Sequence, residues 1–143
     1  MKSMFSKLWN KSKQPRKQRK FIANAPLHIK GKLISSHLSK DLRTKYGFRS
    51  IRLKVGDKVK VMRGQRKGTE DTVSEINIKK QKIYLTKVQI TRTDGNTAKV
   101  PFKASNLLIV DLNLNDKKRK AKLESKKKPK VSVKKEEAKT AWG

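Results

Sequence analysis

The chain has 143 residues, of which 40 are Lys or Arg and 11 are Asp or Glu, giving a formal net charge of +29 with only 34% hydrophobic residues. Self-repulsion of that size opposes a compact free state, so a polyanionic partner is expected, and nucleic acid ranks ahead of membrane: no apolar run approaches the ~20 residues of a spanning helix, and no charged start leads into an apolar signal core. There is no cysteine, which removes disulfides, thiolate zinc sites and cysteine nucleophiles together.

The length suits one modest domain plus extensions. Residues 1–20 form a basic arm rich in Lys, Arg, Ser and Gln, with no apolar period beyond Phe5, Leu8 and Trp9; such a composition predicts disorder in isolation and ordering on a polyanion. Residues 21–50 read as a helical extension. Ile34, Leu38 and Leu42 recur every four residues, Tyr46 follows, and Gly47 lies where a C-cap belongs, with Arg43 and Lys45 in the last turn. Gly31 and the Ser35-Ser36 pair divide this segment into one or two short helices, and the stripe is expected to pack on the domain that follows.

Residues 51–112 hold 14 basic and 6 acidic residues, the most balanced stretch, and they carry β-like patterning. After a turn at Val55-Gly56-Asp57, Val59 and Val61 alternate with lysines as in a half-buried strand. A loop, Arg63-Gly64-Gln65-Arg66-Lys67-Gly68, leads into Thr72–Ile78, where Val73 and Ile76 have opposite parity and predict a bulge. Lys79-Lys80-Gln81 reads as a polar turn. Ile83–Leu85 and Val88–Ile90 give more strand, and Thr93-Asp94-Gly95-Asn96 is a hairpin signal. Ala98–Phe102 alternates again, with Pro101 assigning it to an edge, and Leu107–Val110 is a last strand. Five or six short strands in about 60 residues predict a mainly β fold, a small SH3-like barrel with one or two N-terminal helices and basic flexible extensions. Residues 113–143 form the C-terminal extension, beginning as a short helix through Lys122 and Leu123 and turning low-complexity beyond Pro129.

The loop after the first barrel strand carries the chemistry. Gly64 and Gly68 have no Cβ to hold a phosphate chain away, and their amides can donate to it, while Arg63, Arg66 and Lys67 place charge at the same tip. A P-loop is excluded, because the spacing differs and no Lys-Ser/Thr opens a helix. Arg16, Lys17, Arg19 and Lys20 of the arm are the second set of RNA-binding candidates, and Lys79 and Lys80 in the turn are a third. His28 and His37 stand nine residues apart without cysteines or clustered carboxylates, so no metal site is expected. Tyr84 and Phe102 fall within strand patterns and are read as core. Trp9 and Trp142 sit in terminal basic segments and carry no assigned role.

The run VGDKVKVMRGQRKG with Val73 and Ile76 after it resembles the KOW motif of ribosomal proteins and transcription elongation factors. Its surroundings, namely QPRKQRK, NAPLH, LSKDLRTKYG, RTDG and SNLLIVDLNLNDKKRKAKLE, narrow the likeness. Their order over residues 14 to 125 resembles the archaeal and eukaryotic branch of the universal large-subunit ribosomal KOW family. The resemblance implies an SH3-like barrel on large-subunit ribosomal RNA near the exit of the nascent-chain tunnel, a cytoplasmic life in the ribosome, and a part in early subunit assembly. It also makes a structural or RNA-stacking role plausible for His28. One departure is Asp71, where the family commonly has a third glycine. Asp can adopt the left-handed region and close its own turn, and a carboxylate there argues against phosphate contact, so Asp71 is left out of the candidate interface.

The expected partners are large-subunit ribosomal RNA and neighbouring ribosomal proteins, without membrane insertion, small-molecule substrate or cofactor. A KOW-type transcription elongation module is the alternative. It usually adds an α/β domain that grips polymerase, and residues 1–50 are too short and too basic for one. A DNA-compaction protein fits the charge but leaves NAPLH, LSKDLR and SNLLI without purpose. No paired carboxylates or nucleophile–base constellation suggests an enzyme.

Overall fold

The alternation around Val59 and Val61 does form a strand, and it sits near the centre of the sheet. The computed structural model describes residues 5–6 and 11–125. Among these, seven strands lie in one mixed sheet: β1 (Ser35–Leu38), β2 (Ser50–Arg52), β3 (Lys58–Val61), β4 (Glu70–Asn77), β5 (Lys82–Thr91), β6 (Thr97–Phe102) and β7 (Leu107–Asp111). Their order is β2-β1-β7-β3-β4-β5-β6. All neighbours are antiparallel except β1 and β7, which run parallel with His37 opposite Leu108. The protein is mainly β, with the small barrel-like fold that its patterning predicts.

The period-2 rule decides which side chains face inward. Val59 and Val61, Ile83 and Leu85, and Leu107 and Ile109 are all buried, each pair two residues apart on one strand face. The parity break in β4 is real: the β4–β5 register shifts between Val73 and Glu75. A second break lies in β5, where the inward set moves from Leu85 to Val88 and the β5–β6 register shifts between Tyr84 and Gln89. Bulges bend a strand and tighten its twist, which lets so short a sheet curl. Pro101 is on β6, at the sheet edge, where its missing N–H costs no ladder bond.

Asp71 explains the second bulge, and here the expectation changes. It is a buried β4 residue, not a left-handed turn residue; Gln81 is the non-glycine position with positive φ among the described residues. Its carboxylate accepts from the Thr72 amide at 2.7 Å and from the Lys87 amide at 2.6 Å. The second of these amides lies within the β5 bulge, so Asp71 takes the place of a ladder partner that the bulge removes.

The N-terminal third departs most from its pattern. Pro15–Asn24 is a helix, α1, whose first six residues fall in the arm that the composition read as disordered in isolation. Pro15 opens it at the position that needs no donor, and Gln, Arg, Lys and Ala favour the interior. The helix stops before Pro26, which pushes Ala25 to an extended ψ of 135°. Leu27–Leu33 forms α2 and Lys40–Tyr46 forms α3. The four-residue stripe is therefore not one helix. Ile34 ends α2, Leu38 lies on β1, and Leu42 and Tyr46 lie on α3, yet Ile34, Leu38 and Tyr46 are buried and Leu42 packs against them. His37, within the segment read as a helical extension, is exposed on β1 instead.

α3 ends as its sequence predicts, with Gly47 at φ 70° donating its amide to the Arg43 carbonyl at 2.8 Å. It begins at Ser39, whose hydroxyl accepts from the Leu42 amide at 3.4 Å. Ser39→Ala is expected to cost about 1 kcal/mol of stability, the usual worth of an N-cap, read as a shift of the urea midpoint at constant slope.

The last helix, α4 (Lys117–Glu124), turns its buried residues Arg119 and Leu123, one turn apart, toward the barrel. Arg119 reaches Asp57, which is fully buried in the turn before β3. The guanidinium donates to both carboxylate oxygens at 2.6 and 2.8 Å, and to the Asn113 and Arg52 carbonyls at 2.9 and 3.2 Å. The amides of Lys54 and Asn113 fill the remaining acceptor sites of Asp57 at 2.8 and 2.9 Å.

Candidate nucleic-acid interface

Loop 62–69 joins β3 to β4, and its shape follows from its glycines. Gly64 has φ 95° and Gly68 has φ 90°, values that side-chain-bearing residues adopt only under strain. The Lys67 amide donates to the Gly64 carbonyl at 3.0 Å, and the Gly68 amide closes the loop on the Val61 carbonyl at 2.8 Å. The turn thus brings Gly68 back against the end of β3 and leaves residues 63–67 projecting. A Cβ at either glycine would meet no atom of the described residues within 4 Å beyond its own chain neighbours. The glycines serve the backbone path, and both faces stay open to an outside molecule.

Arg63, Arg66 and Lys67 are exposed, and no ion pair among the described residues includes them. The nearest acid in sequence, Glu70, is instead engaged by Lys60 at 3.0 Å. A tip with three unneutralised cations and two open glycines suits a phosphate chain. It offers little for acid–base work, and no group of three His, Asp or Glu among the described residues is placed to hold a metal ion.

The other candidates stand apart from the loop. Arg16, Lys17, Arg19 and Lys20 are exposed on α1; at 3.6 residues per turn all four fall within half of the helix circumference, making a basic face. Phe21, further along that helix, stacks near Phe5, with ring centroids 4.8 Å apart. His28 is exposed on α2. Lys79 and Lys80 are exposed in the turn that follows β4, where the Lys80 amide is held by the Asn77 side chain at 3.0 Å. The glycine loop precedes that same strand, so its eight residues hold the two sets about 25 Å apart. They cannot form one tip. Phe102 packs against the core and Tyr84 is half-buried, while Trp9 and Trp142 lie outside the described residues.

Sequence reasoning passed over Asp57 and Arg119. The only trace of them is an acid in a turn and a basic residue four before Leu123, and nothing in the pattern pairs positions 62 apart.

Comparison with known proteins covers most of the chain. Residues 12–126 match the family model that describes ribosomal protein L26 of eukaryotes and its archaeal counterpart, L24. The large ribosomal subunit protein uL24 of Methanocella arvoryzae is 49% identical over 115 residues, which is 80% of this chain and 93% of that protein. The uL24 proteins of Korarchaeum cryptofilum and Methanocorpusculum labreanum are 43% and 44% identical, over 81% and 80% of this chain and 88% and 95% of theirs.

Proposed function

The chain belongs to the family of eukaryotic ribosomal protein L26 and archaeal ribosomal protein L24, and from that premise we propose that it binds large-subunit ribosomal RNA through the glycine loop and the basic face of α1. As a member of that family it is a structural component of the large ribosomal subunit and not an enzyme, and it works in the ribosome, in the cytoplasm. The transcription-factor reading is not favoured, since the relatives are large-subunit proteins matched over nearly their whole length.

The observation that carries the RNA reading is the loop itself, with three exposed cations that have no carboxylate partner among the described residues, beside two glycines open to an approaching backbone. Arg63, Gly64, Arg66, Lys67 and Gly68 make the tip contact. Arg16, Lys17, Arg19 and Lys20 follow a second run of phosphates, and His28, Lys79 and Lys80 touch the periphery. Such contacts read RNA shape and not base sequence. A place near the nascent-chain tunnel exit, a share in early subunit assembly and contacts with neighbouring ribosomal proteins complete the proposal, supported by the family resemblance.

Binding to a large-subunit RNA transcript should therefore be steeply salt-dependent. With ~10 phosphates neutralised, the logarithm of the affinity falls against the logarithm of salt with a slope of about −7 to −9. A slope shallower than about −3, or equal affinity for duplex DNA at matched salt, would refute the assignment.

A further inference from the structure

At the β2 edge of the sheet lies a groove of about 430 Å³ between α2, β2 and α4. Lys32, Arg52, Lys54, Lys118, Arg119 and Lys122 line it, with Asp116 the one acid there among the described residues. Two of these cations are already engaged. Arg119 is held by Asp57, and Lys54 donates to Asp116, which holds the Asp116 carboxyl below its ordinary value. Lys32, Arg52, Lys118 and Lys122 remain, all exposed and in no ion pair among the described residues.

We propose that this groove is a second RNA-backbone site, separate from the glycine loop, in which Arg52, Lys118, Lys122 and Lys32 hold phosphates. The inference rests on the chain binding ribosomal RNA, and it adds a surface that neither the loop nor the arm includes. The site is built, not merely charged. The Asp57–Arg119 pair fixes α4 against the barrel, and Lys118 and Lys122, one helical turn apart, then share the wall that faces the groove. The opposite wall holds Arg52 against α2 at Gly31, where a Cβ would lie 2.9 Å from the guanidinium carbon. Glycine there gives the planar cation a seat directly on the helix. Phe48 and Ile51 are partly buried beneath, and the Ser35 and Ser50 hydroxyls lie among the cations. That combination of apolar floor, hydroxyls and unpaired charge suits a ribose–phosphate chain.

Position makes the site distinct. The groove lies beside the turn that enters β3, and the glycine loop leaves the other end of that strand. The two would grip RNA at opposite ends of the barrel, and an RNA spanning both would fix the orientation of the protein as well as its presence.

The test uses the full chain and a large-subunit RNA transcript, comparing wild type, R52Q/K118Q/K122Q and R63Q/R66Q/K67Q by salt titration and hydroxyl-radical footprinting. The groove variant is expected to lose about 2 to 3 from the magnitude of the salt slope, and to lose protection over nucleotides different from those lost by the loop variant. K118R/K122R, which keeps every charge, should match wild type in both readouts. Because Lys118 and Lys122 are exposed, K118Q/K122Q keeps the melting transition and gives the same result in smaller measure. An unchanged slope and footprint in the groove variants, with the loop variant impaired, would overturn the groove while leaving the RNA reading intact. Unchanged RNA binding with poor incorporation into subunits would also overturn it and assign the groove to an acidic protein segment. A wild-type chain without salt-sensitive binding would defeat the RNA reading itself.

Discussion

Asp57→Ala is expected to lower the unfolding free energy by about 3–5 kcal/mol, a large part of the margin of a small domain. The side chains of Asp57 and Arg119 are 0% and 4% exposed, so removing the carboxylate leaves a guanidinium charged and dry. It also deprives the partly buried Lys54 and Asn113 amides of their acceptor, and each adds a smaller cost of its own. Arg119→Met should be milder, because the carboxylate keeps both amide bonds. An apolar replacement of the pair, Asp57→Leu with Arg119→Met, often restores stability in buried ion pairs. Here it should recover only part of the loss, because Leu cannot accept from the two amides. Urea titrations of the three variants check the ranking. Equal stability of Asp57→Ala and wild type would show that α4 is not tied to the barrel in solution.

The same pair marks where the sequence stops being legible. The strands from β3 onward, the β4 bulge, the Gly95 hairpin and the edge placement of Pro101 were visible, because each is set by residues close in sequence, whereas β1 and β2 fell in or at the end of the segment read as helical. The Ile34–Leu38–Leu42–Tyr46 stripe identified core residues correctly but not their element. A spacing of four fits one helix face, and it fits equally a chain that passes from α2 through β1 to α3. Ser36 decides between them, because its buried hydroxyl donates to the Ala104 carbonyl in the turn that enters the neighbouring strand β7, a partner 68 residues away. Asp71 failed for a similar reason: its role depends on the Lys87 amide, and no local pattern announces a bulge that distant. The glycine loop was legible as an exposed basic loop, since positive φ and charge are both local. The groove was not, because its walls come from three segments that only the fold assembles.

Removing the charge of the loop, R63Q/R66Q/K67Q, is expected to weaken binding to large-subunit RNA on the order of a hundredfold at about 0.15 M salt. Each phosphate contact contributes about fivefold there through counterion release, and among the described residues the three cations have no carboxylate partner whose loss would offset the effect. Folding should hardly change. All three side chains are exposed, and the loop is shaped by Gly64, Gly68 and backbone bonds that the substitutions leave alone. The difference from wild type should shrink as salt rises and vanish near about 1 M, where released counterions no longer gain entropy. A loss of that size persisting in high salt would mean that the loop recognises its partner by hydrogen bonding to specific groups. No loss at physiological salt would remove the loop from the interface and leave α1 to carry the binding.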